Sequence, residues 1–191
     1  EAISPILNKV GQFVSSPIIR RVVTEPESKV ALEEIMNKKK ILLVDLSQGK
    51  IGEDNAALLG AMIITQIQLA AMNRVFMEES KRVPFYLFVD EFQNFATRSF
   101  IKILSEARKY KLNLAVANQY MVQLDEEIQD AILGNVGSLM TFLVGAQDAE
   151  ILEKEFGKDF VADDLVSLEK YQTLLKLSVD MQTSRPFFAN T

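Results

Sequence analysis

The sequence predicts an α/β fold: a largely parallel sheet flanked by helices on both faces, with a C-terminal β-hairpin at one edge. Three observations predict it. Short apolar runs such as ILLVDL, FYLFV and LNLAVA lack polar alternation, as strands covered on both faces do. Longer segments with helical spacing separate them. Two final apolar runs, Thr173–Val179 and Pro186–Ala189, are joined by only a short turn, which suits antiparallel neighbours.

The elements follow in chain order. Ile3, Ile6, Leu7 and Val10 have helical spacing, and Pro17 stops that helix. Thr24–Ser28 reads as a polar connector, so residues 1–30 are expected to be a lead-in. Ala31–Asn37 is a short helix with a basic end at Lys38–Lys40, where cations suit the helix dipole. Ile41–Leu46 is expected to be the first strand. Asp54–Glu79 is expected to be one long helix with Asp54 as N-cap. Its apolar stretch, Ala56–Met72, is near the lower length limit of a membrane span, but Thr65, Gln66 and Gln68 interrupt it. It is expected to be an interior helix, with any membrane anchor outside this chain.

Phe85–Val89 is the second expected strand, followed by a helix over Ala96–Tyr110. Leu112–Ala117 is the third, followed by a helix over Asp125–Leu133. Ser138–Val144 is the fourth, followed by a helix over Asp148–Phe156 capped by Asp148. Residues 31–191 then make one α/β domain, with no internal repeat or low-complexity stretch.

Composition narrows the chemistry. The chain has 191 residues, a net charge of −5, and neither cysteine nor histidine. Disulfides, Cys/His zinc sites, thiol nucleophiles and imidazole triads are therefore excluded. Catalysis must come from carboxylates, Lys, Arg, hydroxyls, amides or a hard cation. The acidic balance argues against a general polyanion-binding surface, but not against a few basic loops gripping nucleic acid inside a ring. The chain begins at Glu1 without an initiator Met or signal pattern, and so reads as an excised piece.

Asp90 and Glu91 directly follow the strand FYLFV, at the sheet edge where ligands of open α/β sheets bind. An apolar strand followed by Asp-Glu is the Walker B pattern of phosphate-loop NTPases. The first carboxylate reaches the magnesium shell and the second polarises the attacking water. The alternative is a strand leading into an acidic helix N-terminus. Gln119 follows the next strand, where its amide can hold a water and a phosphate oxygen together. Its alternative is a loop amide capping a turn. On a continuous helix over 95–110, Arg108 falls inside the apolar arc, between Ile101 and Leu104. A charge there must snorkel, pair internally, or face another subunit's nucleotide as an arginine finger.

VDEFQNFAT (Val89–Thr97) and ILSEARKYKLNLAVANQY (Ile103–Tyr120), together with ILLVDLSQGKIGEDNAALLG (Ile41–Gly60), resemble the motor domain of type IV secretion DNA-coupling and TraG/TraD-like ATPases. These belong to the HerA/FtsK group of RecA-like phosphate-loop motors. The resemblance implies Asp90 on Mg2+ through water, Glu91 as catalytic base, Gln119 as sensor amide and Arg108 as the arginine acting in trans. It implies ATP and Mg2+ as cofactors, and a homo-oligomeric, usually hexameric, ring that moves DNA. Secretion-channel proteins are further partners. The setting is cytoplasmic, at the inner face of the cell membrane if segments outside this chain tether it. In such relatives a helical subdomain precedes the Walker B strand, and residues 1–30 could be its trailing end.

One departure matters. The phosphate loop G-x-x-x-x-G-K-[ST] is absent, and Gly49-Lys50-Ile51-Gly52 lacks its spacing and its Ser/Thr. The 191 residues are therefore expected neither to bind ATP tightly nor to hydrolyse it, as the carboxylate-bearing part of a motor whose loop lies upstream. The alternatives are a secretion-system assembly ATPase that moves protein, a silent interaction module with the motor fold, and, more distantly, a metal-dependent nuclease. Lys50 is weighed as a DNA or phosphate contact against a plain surface loop. Arg185 is weighed as a cross-subunit contact against an ordinary edge-strand charge.

Overall fold

Residues 11, 15–26, 30–180 and 182–190 are described by the computed structural model. The helix expected over residues 3–10 lies outside them. Contacts divide the chain into two units, Glu1–Val89 with Glu106–Ala115, and Asp90–Ser105 with Val116–Thr191.

In the first unit, α1 (Pro17–Val23) begins with proline at a position where no helical donor is lost. Helix α2 (Leu32–Asn37) follows, and Glu34 at its centre accepts Lys38 at 3.2 Å and Lys40 at 2.6 Å. The segment Ile41–Leu46, expected as a strand, joins no ladder among the described residues. Ile41 is 87% and Leu43 90% exposed. An apolar run is a strand only when a neighbour takes up its backbone groups, and this one has no such neighbour here.

Helix α3 (Gln48–Ile51) is one turn, and α4 (Glu53–Met72) follows it directly. The N-cap of α4 is Gly52, at φ 84°, so Asp54 sits in the first helical turn instead of capping it. Gly52 serves because a side chain is strained at that backbone conformation. The expected single helix to Glu79 gives way after Met72 to 3-10 turns at Asn73–Phe76 and Glu79–Lys81. Ala56, Leu59, Gly60, Ile64, Ile67, Ala70 and Ala71 bury one face of α4, which packs on α2 and α3. Leu58, Met62 and Leu69 occupy its exposed side. By length and composition alone, Glu53–Phe76 would suffice to cross a membrane.

Strands β1 (Phe85–Val89) and β2 (Leu112–Val116) form a two-stranded sheet. The bonds Phe85 N–H to Lys111 O (2.9 Å) and Phe92 N–H to Ala117 O (2.8 Å) advance together along both chains, as parallel pairing requires. Helix α5 (Arg98–Glu106) connects the strands and ends in a 3-10 turn over Ala107–Tyr110.

The second unit contains α6 (Glu126–Asn135), β3 (Leu139–Thr141), α7 (Ala146–Phe156) and α8 (Ala162–Val166). After them come β4 (Gln172–Lys176), the two-residue arms β5 (Ser178–Val179) and β6 (Gln182–Thr183), and β7 (Phe187–Asn190). The expected hairpin is present: β4 and β7 are antiparallel, with Gln172 opposite Asn190 and Leu175 opposite Phe187. At its tip Ser178 faces Thr183. The sheet order β3-β4-β7 leaves β7 at an edge.

The expectation of a largely parallel sheet is corrected here. Among the described residues parallel pairing is confined to β1 and β2, whereas β3 pairs antiparallel with β4. Burial on both faces makes a strand apolar whatever its direction, and Thr173, Leu174 and Leu175 of β4 are all buried. Thr173 is tied across to β3 by its hydroxyl, which donates to Thr141 O at 2.7 Å. Phe92, Phe100, Ile128, Leu152, Phe156, Leu165 and Leu174 make up much of this unit's core.

Candidate functional site

The chain leaves β1 through Asp90 and turns at once. Glu91 adopts φ 49° and ψ 45°, the left-handed region, before a 3-10 turn over Phe92–Asn94. That conformation costs a non-glycine residue about 1–2 kcal/mol and persists only where surrounding contacts impose it. Those contacts are visible. The Glu91 N–H donates to Asp90 Oδ1 at 2.9 Å, and the Phe92 N–H donates to Ala117 O at 2.8 Å. The Phe92 ring is fully buried, with its centroid 4.4 Å from that of Phe100.

This turn aims the Glu91 carboxylate at two amides. Gln119 Nε2 donates to Oε1 at 2.5 Å, and Gln93 Nε2 donates to Oε2 at 2.5 Å. A carboxylate has about four lone-pair positions, so two amide donors fix its orientation and still leave room for a water. Gln119 is exposed and keeps its carbonyl oxygen and a second N–H for another ligand. Gln93 Oε1 is buried without a hydrogen-bond partner. Asp90 is exposed, with one carboxylate oxygen on the Glu91 N–H.

Three of the four residues singled out in the sequence thus meet in the second unit: Asp90, Glu91 and Gln119. Arg108 belongs to the first unit and is exposed, not held in an apolar arc. The helical projection fails there because α5 ends at Glu106, and the tighter 3-10 turn rotates the next residues. Gln93 was missed. Its only sequence signal is the spacing Glu-x-Gln immediately after a strand.

The loop after β2 is fixed from the other side. Met121 opens a 3-10 turn (Met121–Gln123), and its N–H donates to Asp148 Oδ2 at 3.1 Å. The Val122 N–H donates to Asp148 Oδ1, also at 3.1 Å. Asp148 is only 3% exposed. It does not cap its own helix as expected, since Gly145 occupies the N-cap of α7.

Other residues weighed in the sequence have plainer surroundings. Lys50 pairs with Asp45 at 2.5 Å on an exposed surface. Lys50, followed by the Ser47 N–H, holds the Asp45 carboxyl down to about 2. Arg185 is exposed between β6 and β7.

Residues 84–185, more than half of the chain, match the family model of the TraM recognition site of TraD and TraG. No curated protein sequence matches. Among solved structures, the bacterial conjugative coupling protein TrwBdeltaN70 aligns at TM-score 0.59 and 16% identity, over 100% of this chain and 52% of that one. The genome packaging NTPase B204 of Sulfolobus turreted icosahedral virus 2 aligns over 83% of this chain and 71% of that one. Its complex with AMPPCP gives a TM-score of 0.51 at 13% identity, and its complex with ATP-gammaS gives 0.52 at 14%. At these identities the likeness establishes a shared fold. The chain spans about half of the coupling protein.

Proposed function

Because this chain belongs to the TraD and TraG family, through the domain described as their TraM recognition site, we propose that it is part of an ATP-driven DNA translocase of the conjugative coupling type. The observation that carries the reading is Glu91. Its left-handed backbone directly beyond a parallel strand, with both carboxylate oxygens held by amides, is an arrangement for a general base.

In this reading Glu91 takes the proton of the attacking water, and Gln119 orients that water through its carbonyl oxygen and free N–H. Gln93 holds the carboxylate from the far side. Asp90 suits a hydrated Mg2+, which takes one or two carboxylates and completes its shell with waters and phosphates. When bound with ATP, the ion supplies neutralisation of charge developing on the phosphates. The phosphate loop is supplied by sequence outside these 191 residues. Arg108 acts in trans, on the nucleotide of a neighbouring copy in a ring, which its exposure permits.

DNA is the cargo, a TraM-like protein is the partner of residues 84–185, and the assembly works at the inner face of the membrane. In the protein that carries the phosphate loop, Glu91→Gln lowers ATP turnover by about 10²–10⁴-fold and leaves nucleotide bound. Retained turnover in that variant sinks the assignment. Arg108→Ala lowers turnover on the order of 10³-fold while the separated subunit still binds ATP. Normal activity of this second variant removes Arg108 from the site. DNA-stimulated turnover separates this motor from an assembly ATPase that moves protein.

A further inference from the structure

We infer that Asp148 is a positioning residue for the proposed hydrolytic site, acting by locking the loop that presents Gln119. The inference rests on the reading of Glu91 and Gln119 given above.

A buried carboxylate needs compensation, which is usually a cation. Asp148 has none among the described residues. Instead each of its oxygens accepts one backbone N–H, from Met121 and from Val122. These are consecutive donors at the open start of a 3-10 turn, groups that no local carbonyl can satisfy. The bidentate geometry fixes the direction of the peptide plane between them as well as its position. Helix α7 carries Asp148 and packs against this turn, and neighbouring Ala149 is fully buried. Only Tyr120 separates Met121 from Gln119, and Tyr120 is 50% exposed.

The Gln119 amide is itself exposed and cannot be placed by packing. Its backbone is fixed from both sides instead. Ala117 O accepts the Phe92 N–H two residues before it, and Asp148 takes the two N–H groups that follow Tyr120. Without the Asp148 clamp the loop pivots about Ala117, and the Gln119 amide swings off the Glu91 carboxylate. A displacement of about 1 Å at such a group is enough to lose much of its catalytic effect.

The test uses the full-length protein with its phosphate loop, measuring steady-state ATP hydrolysis in Asp148→Asn, Gln119→Ala and the double variant. Asp148→Asn turns one acceptor into a donor facing an N–H, with almost no change of volume. The expected result is a 10- to 100-fold fall in kcat, with KM for ATP changed less than threefold. In the Gln119→Ala background, Asp148→Asn should lower kcat by less than a further twofold. A structural lesion instead multiplies with Gln119→Ala, and that outcome overturns the proposal.

Should Asp148→Asn fail to fold, an amide-to-ester replacement at Val122 removes one donor and leaves the carboxylate in place. It should lower kcat three- to tenfold, again only when Gln119 is present, and wild-type kcat there overturns the proposal. Wild-type kcat in Gln119→Ala sinks the reading of the site and this inference with it. A damaged Gln119→Ala beside a normal Asp148→Asn sinks the inference alone.

Discussion

Arg74 shows how one residue can be central to a unit without belonging to any site. It is 2% exposed, and among the described residues no carboxylate pairs with it. Its guanidinium donates to Asn37 Oδ1 at 3.1 Å, Val83 O at 2.9 Å and Tyr110 O at 2.8 Å, while Nη2 has no partner. Burial, and then the neighbouring charge of Arg82, lower its pKa, although guanidinium keeps its proton in proteins. The side chain thus ties the end of α2, the approach to β1 and the turn after α5 together inside the first unit. Arg74→Ala leaves three part-buried acceptors without a donor and empties a buried side-chain site, and we expect a loss of about 2–4 kcal/mol. Urea denaturation measures it, and an unchanged midpoint would contradict the role given to this side chain. Nothing in the sequence distinguished Arg74 from any other arginine near a helix end. Asp90 and Glu91, by contrast, were legible because an apolar strand followed by two acids is a local pattern. The left-handed turn at Glu91 was not, since φ there is imposed by Phe92 and Ala117 and not by glutamate's own preference.

Elements were legible where their burial is local and obscure where it depends on a partner. FYLFV and LNLAVA are strands because they pair with each other across a single helical crossover, so the pattern and its cause lie within one stretch of chain. ILLVDL carries an equally strong pattern but joins no ladder among the described residues, and its Ile41, Leu43 and Val44 stand exposed. The apolar run records a demand for cover that the described residues do not meet. Strand β3 shows a second limit, because an apolar run does not fix the direction of pairing: β3 runs antiparallel to β4, and its Met140 is exposed. The C-terminal hairpin was readable because its short turn leaves the antiparallel arrangement as the simple solution. Helix ends were the weakest part. The α5 segment carries helical spacing through Tyr110, yet its last turn tightens, and that rotation moved Arg108 from the expected apolar arc to the surface. Asp148 follows the same logic. Near a helix start an aspartate reads as a cap, and only tertiary packing redirects it to the N–H groups of another turn.

For the whole molecule, the acid–base groups and the phosphate-gripping groups must be considered separately. Asp90, Glu91 and Gln119 are linked by hydrogen bonds within the second unit, and in the proposed reading they serve the attack on a phosphate. Binding that phosphate is another matter. Phosphate-loop motors hold the β- and γ-phosphates with a glycine-rich loop whose N–H groups point inward, together with its lysine. No such motif occurs in the 191 residues, and Lys50 of the nearest glycine-containing stretch is engaged by Asp45. A net charge of −5 gives ATP no general attraction to replace it. Calorimetry with Mg-ATP should therefore find no micromolar binding by these 191 residues. The same titration on the protein that includes the phosphate loop should give binding at micromolar concentrations or tighter. Micromolar affinity in the shorter chain would mean that Asp90, Glu91 and Gln119 grip nucleotide unaided. The division of labour between the two parts of the motor would then be wrong.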